Sequence, residues 1–152
     1  MARKKGTKSV LVVGLGRFGS SVASTLNEME QDVLAVDKDP EIVARWSSQI
    51  PVVQADMTDV MAIERIDASQ FDTAVVAIGD SIEASVIAAG NLLDAGITDL
   101  WAKSVSIQHA RILRRIGARH VINAESDAGI RRNVWRARRS RKPKSTTSTA
   151  LW

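Results

Sequence analysis

The 152-residue chain contains no cysteine and no tyrosine, and only two histidines, His109 and His120. Without cysteine there is no disulfide scaffold, no thiolate zinc site and no cysteine nucleophile. With so few histidines, groups suited to acid–base catalysis are scarce. No apolar run approaches the roughly 18 to 20 residues needed to cross a bilayer as a helix. The Walker A pattern of P-loop hydrolases is missing, as are a Ser–His–acid arrangement and a histidine cluster for a metal. The basic start, "MARKKGTK", leads into a strand-like segment with no small-residue cleavage site, so it does not read as a secretion signal.

Charge is unevenly spread. The formal net charge is +4, yet residues 9–130 hold nine Lys/Arg against seventeen Asp/Glu. Four positives crowd into residues 1–8, and eight more run from Arg131 to Lys144. Basic ends attract nucleic acid or anionic lipid. No recognition helix or stacking platform accompanies them, so no specific nucleic-acid partner is expected. The polar, Ser/Thr-rich end has the composition of a disordered tail. The expected organisation is a basic segment over 1–8, a folded domain over 9–137 and a basic tail over 138–152.

What the chain does contain is strand–helix alternation. "SVLVVG" (9–14), "DVLAVD" (32–37), "PVVQAD" (51–56), "DTAVVAIG" (72–79), "DLWAK" (99–103) and "HVINA" (120–124) are short apolar runs suited to buried parallel strands. Helices are predicted between them. The first spans 17–29 with Val22, Leu26 and Met29 on one side. The second opens at Asp39 with Pro40 in its first turn. A short one covers 58–66. A longer one covers 80–96, with Ile82, Val86, Ala89 and Leu93 sharing a face. The fifth spans 106–117 with Ile112, Leu113 and Ile116 turned inward, and a last helix starts near Asp127. Alternation of this kind predicts an α/β, Rossmann-like doubly wound parallel sheet of six strands in order 3-2-1-4-5-6.

The first turn reads Gly14-Leu15-Gly16-Arg17-Phe18-Gly19. In this fingerprint the first glycine permits the tight turn. The second lets backbone approach a pyrophosphate, and the third lets the helix lie close on the sheet. Unpaired N–H groups and partial positive charge at the helix start suit phosphates. Asp37, 18 residues beyond Gly19, is placed to accept hydrogen bonds from ribose hydroxyls and to repel a 2′-phosphate. Arg17 suits additional phosphate charge, and Lys38 and Lys103 are further cations at strand ends. Asp56 and Met57 after the third strand would flank the base, with Asp56 equally suited to capping the next turn. Ile78 and Gly79 after the fourth would form the floor. A nucleotide cradle without evident catalytic machinery favours sensing over turnover. A small NAD-dependent oxidoreductase is the alternative, needing an acid or base from His109, His120 or Lys103.

The stretches "VVGLGRFGSSVASTL", "VLAVDKD", "VVQADMTD", "VVAIGDSIEAS", "LWAKS" and "ILRRIGARHVINAESDAG" together resemble the N-terminal nucleotide-binding domain of bacterial potassium-uptake regulators of the KtrA/TrkA type, the RCK or TrkA-N (KTN) domain. The resemblance covers about residues 8–130. It implies a regulatory subunit rather than an enzyme, binding ATP or ADP, with NAD(H) as alternative. It implies a homodimer, arranged in some members as an octameric ring, on a potassium-translocating membrane subunit at the cytoplasmic face. It assigns Arg17 and Lys103 to the phosphate region and Asp37 to the ribose. Glu125 would join a divalent cation, Mg or Ca, near the phosphates. The small C-terminal domain usual in the family does not follow in this sequence, and the dense basic run after Trp135 departs from the family's apolar crossover helix.

Overall fold

Each apolar run becomes a strand of one parallel sheet. The structure, a computed structural model, describes residues 8–123. Its strands are β1 (Ser9–Val13), β2 (Asp32–Asp37), β3 (Val52–Gln54), β4 (Thr73–Val76), β5 (Asp99–Ser104) and β6 (His120–Asn123). They lie in the order β3-β2-β1-β4-β5-β6, all parallel, as the strand–helix alternation predicts. The basic ends, the last predicted helix and Glu125 lie outside the described residues.

The helices are α1 (Arg17–Glu28), α2 (Pro40–Trp46), α3 (Val60–Arg65), α4 (Ile82–Asp94) and α5 (Ile107–Ile116). Strand side chains alternate between two faces. Val10, Val12, Ala35, Val75 and Trp101 meet Phe18, Val22 and Leu26 of α1, with Ile42 and Trp46 of α2 packed alongside. Leu11, Val13, Val36, Val76, Leu100 and Ala102 meet Ile63, Leu92 and Leu113 from α3, α4 and α5 on the other face. Each such fully buried aliphatic side chain contributes about 1.5–3 kcal/mol relative to exposure. Both faces are therefore covered, which is why the strands read as continuous apolar runs.

The amino-terminal edge of the sheet is latched by side chains. The Ser9 N–H donates to Asp72 Oδ2 at 2.9 Å, and the Asp72 N–H donates to Ser9 Oγ at 3.0 Å, across 63 residues of sequence. Thr73 Oγ1 donates to Asp99 Oδ2 at 2.8 Å. Asp99 in turn lies 3.7 Å from His120 Nε2, and the His120 ring stacks on Trp101 with centroids 3.9 Å apart.

Three expected faces are corrected. On α4 the buried residues are Ser85, Ala88, Ala89 and Leu92, while Ile82 is 43% exposed. On α5 they are His109, Ala110 and Leu113, with Ile112 and Ile116 largely outside. Met29 ends α1 as an exposed C-cap instead of continuing its buried side. On α4 and α5 the helix is rotated so that small or polar residues share the buried face with a single leucine, Leu92 or Leu113.

Candidate functional site

The carboxyl ends of β1, β2, β4 and β5, with the loop after β3, surround a cleft of about 410 Å³, within the usual range of roughly 300–1,000 Å³ for small-ligand sites. The crevice falls where the chain reverses direction across the sheet, between β1 and β4.

The glycine turn after β1 has two kinds of requirement. Gly14 has φ +98° and donates its N–H to the Val36 carbonyl at 2.9 Å. A Cβ at Gly19 would overlap the Gly14 carbonyl oxygen and reach 3.1 Å from Ala77 Cβ. Those two glycines are demanded by the protein's own backbone. Gly16 is not: among the described residues nothing lies within 4 Å of where its Cβ would stand, and its φ is an ordinary −72°. The space over Gly16 is open, and it adjoins the start of α1. Asp39, Asp59, Ser81 and Ser106 cap the other four helices through their side chains, whereas Gly16 offers α1 no such bond. Among the described residues the cap position thus supplies no side-chain acceptor to the first N–H groups of α1, an arrangement that suits an external one.

Asp37 organises the opposite wall. Its Oδ2 accepts from Leu15 N–H at 2.8 Å and its Oδ1 from Asp39 N–H at 2.9 Å. One carboxylate therefore ties the glycine turn to the start of α2, and each oxygen keeps lone pairs toward the cleft. Asp56 accepts from Thr58 Oγ1 at 2.7 Å and Thr58 N–H at 3.0 Å, the turn-capping role open to it in the sequence. The bonds from Thr58 hold its carboxyl below the usual carboxylate range, the hydroxyl first and the backbone second. Met57 is buried within the wall, its carbonyl accepting from Asn91 Nδ2 at 3.0 Å.

Gly79 makes room for Lys103. A Cβ at Gly79 would stand 2.7 Å from Lys103 Nζ, which also lies 6.0 Å from the centroid of the Phe18 ring. The ammonium is parked between an aromatic face and the cleft floor.

Of the residues predicted from sequence, the structure brings Gly14, Gly16, Asp37, Lys38, Asp56, Met57, Ile78, Gly79 and Lys103 to one cleft wall. Gly19 supports it from behind. Arg17 is exposed at the first position of α1, outside that wall, and Phe18 is 1% exposed in the core, so its ring faces Lys103 and not a ligand. Ile42, Asp80 and Ala84 also line the cleft and were not singled out. Their signal was positional, since the first turns of the helices after the second and fourth strands abut the crevice. The two histidines are elsewhere: His109 is buried between α4 and α5, and His120 sits at the amino-terminal edge, away from the carboxyl ends. Neither stands in the cleft wall as an acid or base.

A parallel sheet in this order, with a glycine turn feeding an uncapped helix and an acid ending β2, defines a Rossmann-type domain. Within that class the chain belongs to the TrkA-N domain family, whose model matches residues 10–124. It is 37% identical over 131 residues to Ktr system potassium uptake protein A of Vibrio alginolyticus, covering 84% of this chain and 59% of that protein. It is 34% identical over 125 residues to Ktr system potassium uptake protein A of Bacillus subtilis, covering 82% and 56%. The chain thus spans somewhat over half the length of these relatives. Among solved structures, the TrkA-N domain of inner membrane protein ybaL from Escherichia coli has the same fold. Its TM-score is 0.71 at 14% identity, over 86% of this chain and 96% of that one. The GsuK channel bound to NAD gives a TM-score of 0.68 at 13% identity, over 80% of this chain and 22% of that one.

Proposed function

We propose that this domain is the nucleotide-sensing part of a regulator of potassium uptake, with ATP and ADP as the ligands it distinguishes and NAD(H) as the alternative. The observation that carries the reading is the unfilled space over Gly16 beside an uncapped helix start. Among the described residues no atom stands there, and a phosphate group fits both the space and the N–H groups at the helix start. Asp37 would accept from ribose hydroxyls, Ile78 and Gly79 would lie under the ribose or base, and Lys38, Lys103 and Arg17 would answer phosphate charge. The relatives named as potassium uptake proteins support the process. GsuK structures described as bound to NAD and to ADP support the ligand class on the same fold.

In this reading the domain forms a homodimer, arranged into an octameric ring, on a potassium-translocating subunit at the inner face of the cell membrane. A nucleotide alters that assembly only by binding one arrangement better than another. ATP and ADP differ only in terminal phosphate, so the phosphate end of the cleft must carry the difference. A divalent cation, Mg or Ca, would enter through Glu125, which lies outside the described residues.

Calorimetry of ATP, ADP, NAD and NADH on the purified chain, with and without magnesium, tests the proposal. Adenine nucleotides binding ahead of the dinucleotides, and weakened by Arg17→Ala, is the expected result. Preference for NADH would move the reading to a redox sensor. Absence of binding by all four would refute it.

A further inference from the structure

A buried polar pair joins the cleft to the outer helices. His109 is 1% exposed and Ser85 is 0% exposed. The His109 Nδ1 accepts from the Val105 N–H at 3.1 Å, so the neutral ring carries its proton on Nε2, which lies 3.0 Å from Ser85 Oγ and donates to it. The His109 N–H also donates to the capping Ser106 Oγ at 3.0 Å. The imidazole thereby ties the first turn of α5, on which it stands, to two things: the turn after β5 and the first turn of α4. The neighbours on either side are cleft residues. Ala84 and Asp80 line the cleft just ahead of Ser85, and Lys103 lines it just ahead of Val105.

We propose that the Ser85–His109 bond is a positioning device for the cleft, setting the spacing between the Asp80–Ala84 wall and the Lys103 strand end so that nucleotide affinity depends on the neutral imidazole. This rests on the nucleotide reading above and adds to it an internal control by proton concentration. Protonated at Nδ1, the ring would present a donor to the Val105 N–H, and the turn after β5 would lose its anchor. Burial lowers the His109 pKa below the ordinary histidine value, with no charged neighbour contributing. The ionisable groups on the elements packed against α5 agree with that. Asp99 and His120 pair at the opposite edge of the sheet, and Lys103 lies on its other face over Phe18. Glu83 and Asp94 lie at the ends of α4. His109 and Ser85 are positioning residues here; neither lines the cleft.

The test is ADP affinity by calorimetry at pH 7.5 and then stepwise to the lowest pH at which the fold persists, for the wild type, Ser85→Ala and His109→Asn, with circular dichroism confirming each fold. Asparagine keeps an acceptor for Val105 N–H but cannot reach Ser85. At pH 7.5 both variants should bind about fivefold more weakly, the low end of coupling between linked sites. As pH falls through the folded His109 pKa, which burial sets below the ordinary histidine value, the wild type should approach His109→Asn, because titration of ADP itself is common to both. Parallel pH profiles, or unchanged affinity in the variants, overturn the coupling while leaving nucleotide binding intact. A wild type that binds no ADP, ATP or NAD overturns the nucleotide reading and this proposal with it. If His109→Asn does not fold, histidine NMR on the wild type decides. By linkage ADP must lower the His109 pKa, and an unmoved titration refutes the proposal.

Discussion

Alanine at Gly16 and alanine at Gly19 should have opposite consequences. At Gly16 the backbone is in an ordinary region and no atom stands within 4 Å of the new Cβ. Alanine is a poorer N-cap than glycine by about 0.5–1 kcal/mol, while the less flexible unfolded chain returns about 0.4–1 kcal/mol. The net change in stability is near zero. At Gly19 the new Cβ overlaps the Gly14 carbonyl oxygen and sits 2.9 Å from its carbon. Backbone cannot turn aside as a side chain can, so α1 must lift from the sheet, costing about 3 kcal/mol, the upper end for overpacking. Better helix propensity offsets about 1 kcal/mol. The remaining loss of about 2 kcal/mol corresponds to a fall in Tm of about 8 °C. For binding the order reverses in kind: the Gly16 Cβ fills the space a phosphate needs, and affinity should fall at least about tenfold, or roughly 1.4 kcal/mol. Thermal unfolding and calorimetry on both variants provide the assay. Unchanged nucleotide affinity in Gly16→Ala would refute the placement of phosphate over that residue. An unchanged Tm in Gly19→Ala would refute the close approach of α1.

Further outcomes follow from the same geometry. Asp37→Asn replaces one acceptor oxygen with a donor facing Leu15 or Asp39 N–H, so denaturant unfolding should show a loss of about 1–2 kcal/mol, accompanied by weaker nucleotide binding. Leu113→Ala should cost about 2–5 kcal/mol as a fully buried deletion, whereas Ile112→Ala on the outer side of α5 should cost far less. Equal losses by chemical denaturation would contradict the observed helix rotation. Asp56 has a lowered folded pKa, so its contribution to stability is present above the unfolded value near 3.8 and disappears as pH falls through the folded one. Thr58→Val should raise that pKa toward the ordinary value, as followed by carboxylate NMR. Because the folded pKa of His109 is also depressed, stability should decline as pH drops below about 6.5, where the unfolded chain takes up the proton first. The wild type should show this decline and His109→Asn should not.

The strand order was legible because the strands are short apolar runs alternating with helices, and a glycine turn after the first of them marks the doubly wound arrangement with right-handed crossovers. The glycine turn and Asp37 were legible for the same local reason. The rotation of α4 was not. Ile82, Ala84, Val86, Ile87, Ala88, Ala89, Leu92 and Leu93 put apolar groups on nearly every side, so periodicity selects no face. In α5 the buried stripe runs through His109, whose partner Ser85 is 24 residues away and visible only once the helices are packed. Phe18 sits in the middle of the fingerprint, but its position on α1 points it into the sheet. Asp37 was read from its spacing as an acceptor for ribose hydroxyls; its two bonds to Leu15 and Asp39 come from the curvature of the turn, which residue spacing does not encode.

The latch between Ser9 and Asp72 has a consequence for how the chain is made. β1 lies at the centre of the sheet, and one of its two neighbours, β4, begins at Thr73. On the ribosome β1 and β2 can pair early, but Asp72 follows Ser9 by 63 residues, so the β4 side of β1 stays open for about 3–13 s after β1 is made, at ordinary elongation rates. Throughout that interval an apolar strand presents an open hydrogen-bonding edge, the kind that recruits other chains. Slowing translation between residues 37 and 76 should therefore lower the soluble yield, while the same delay after β4 should be harmless to it.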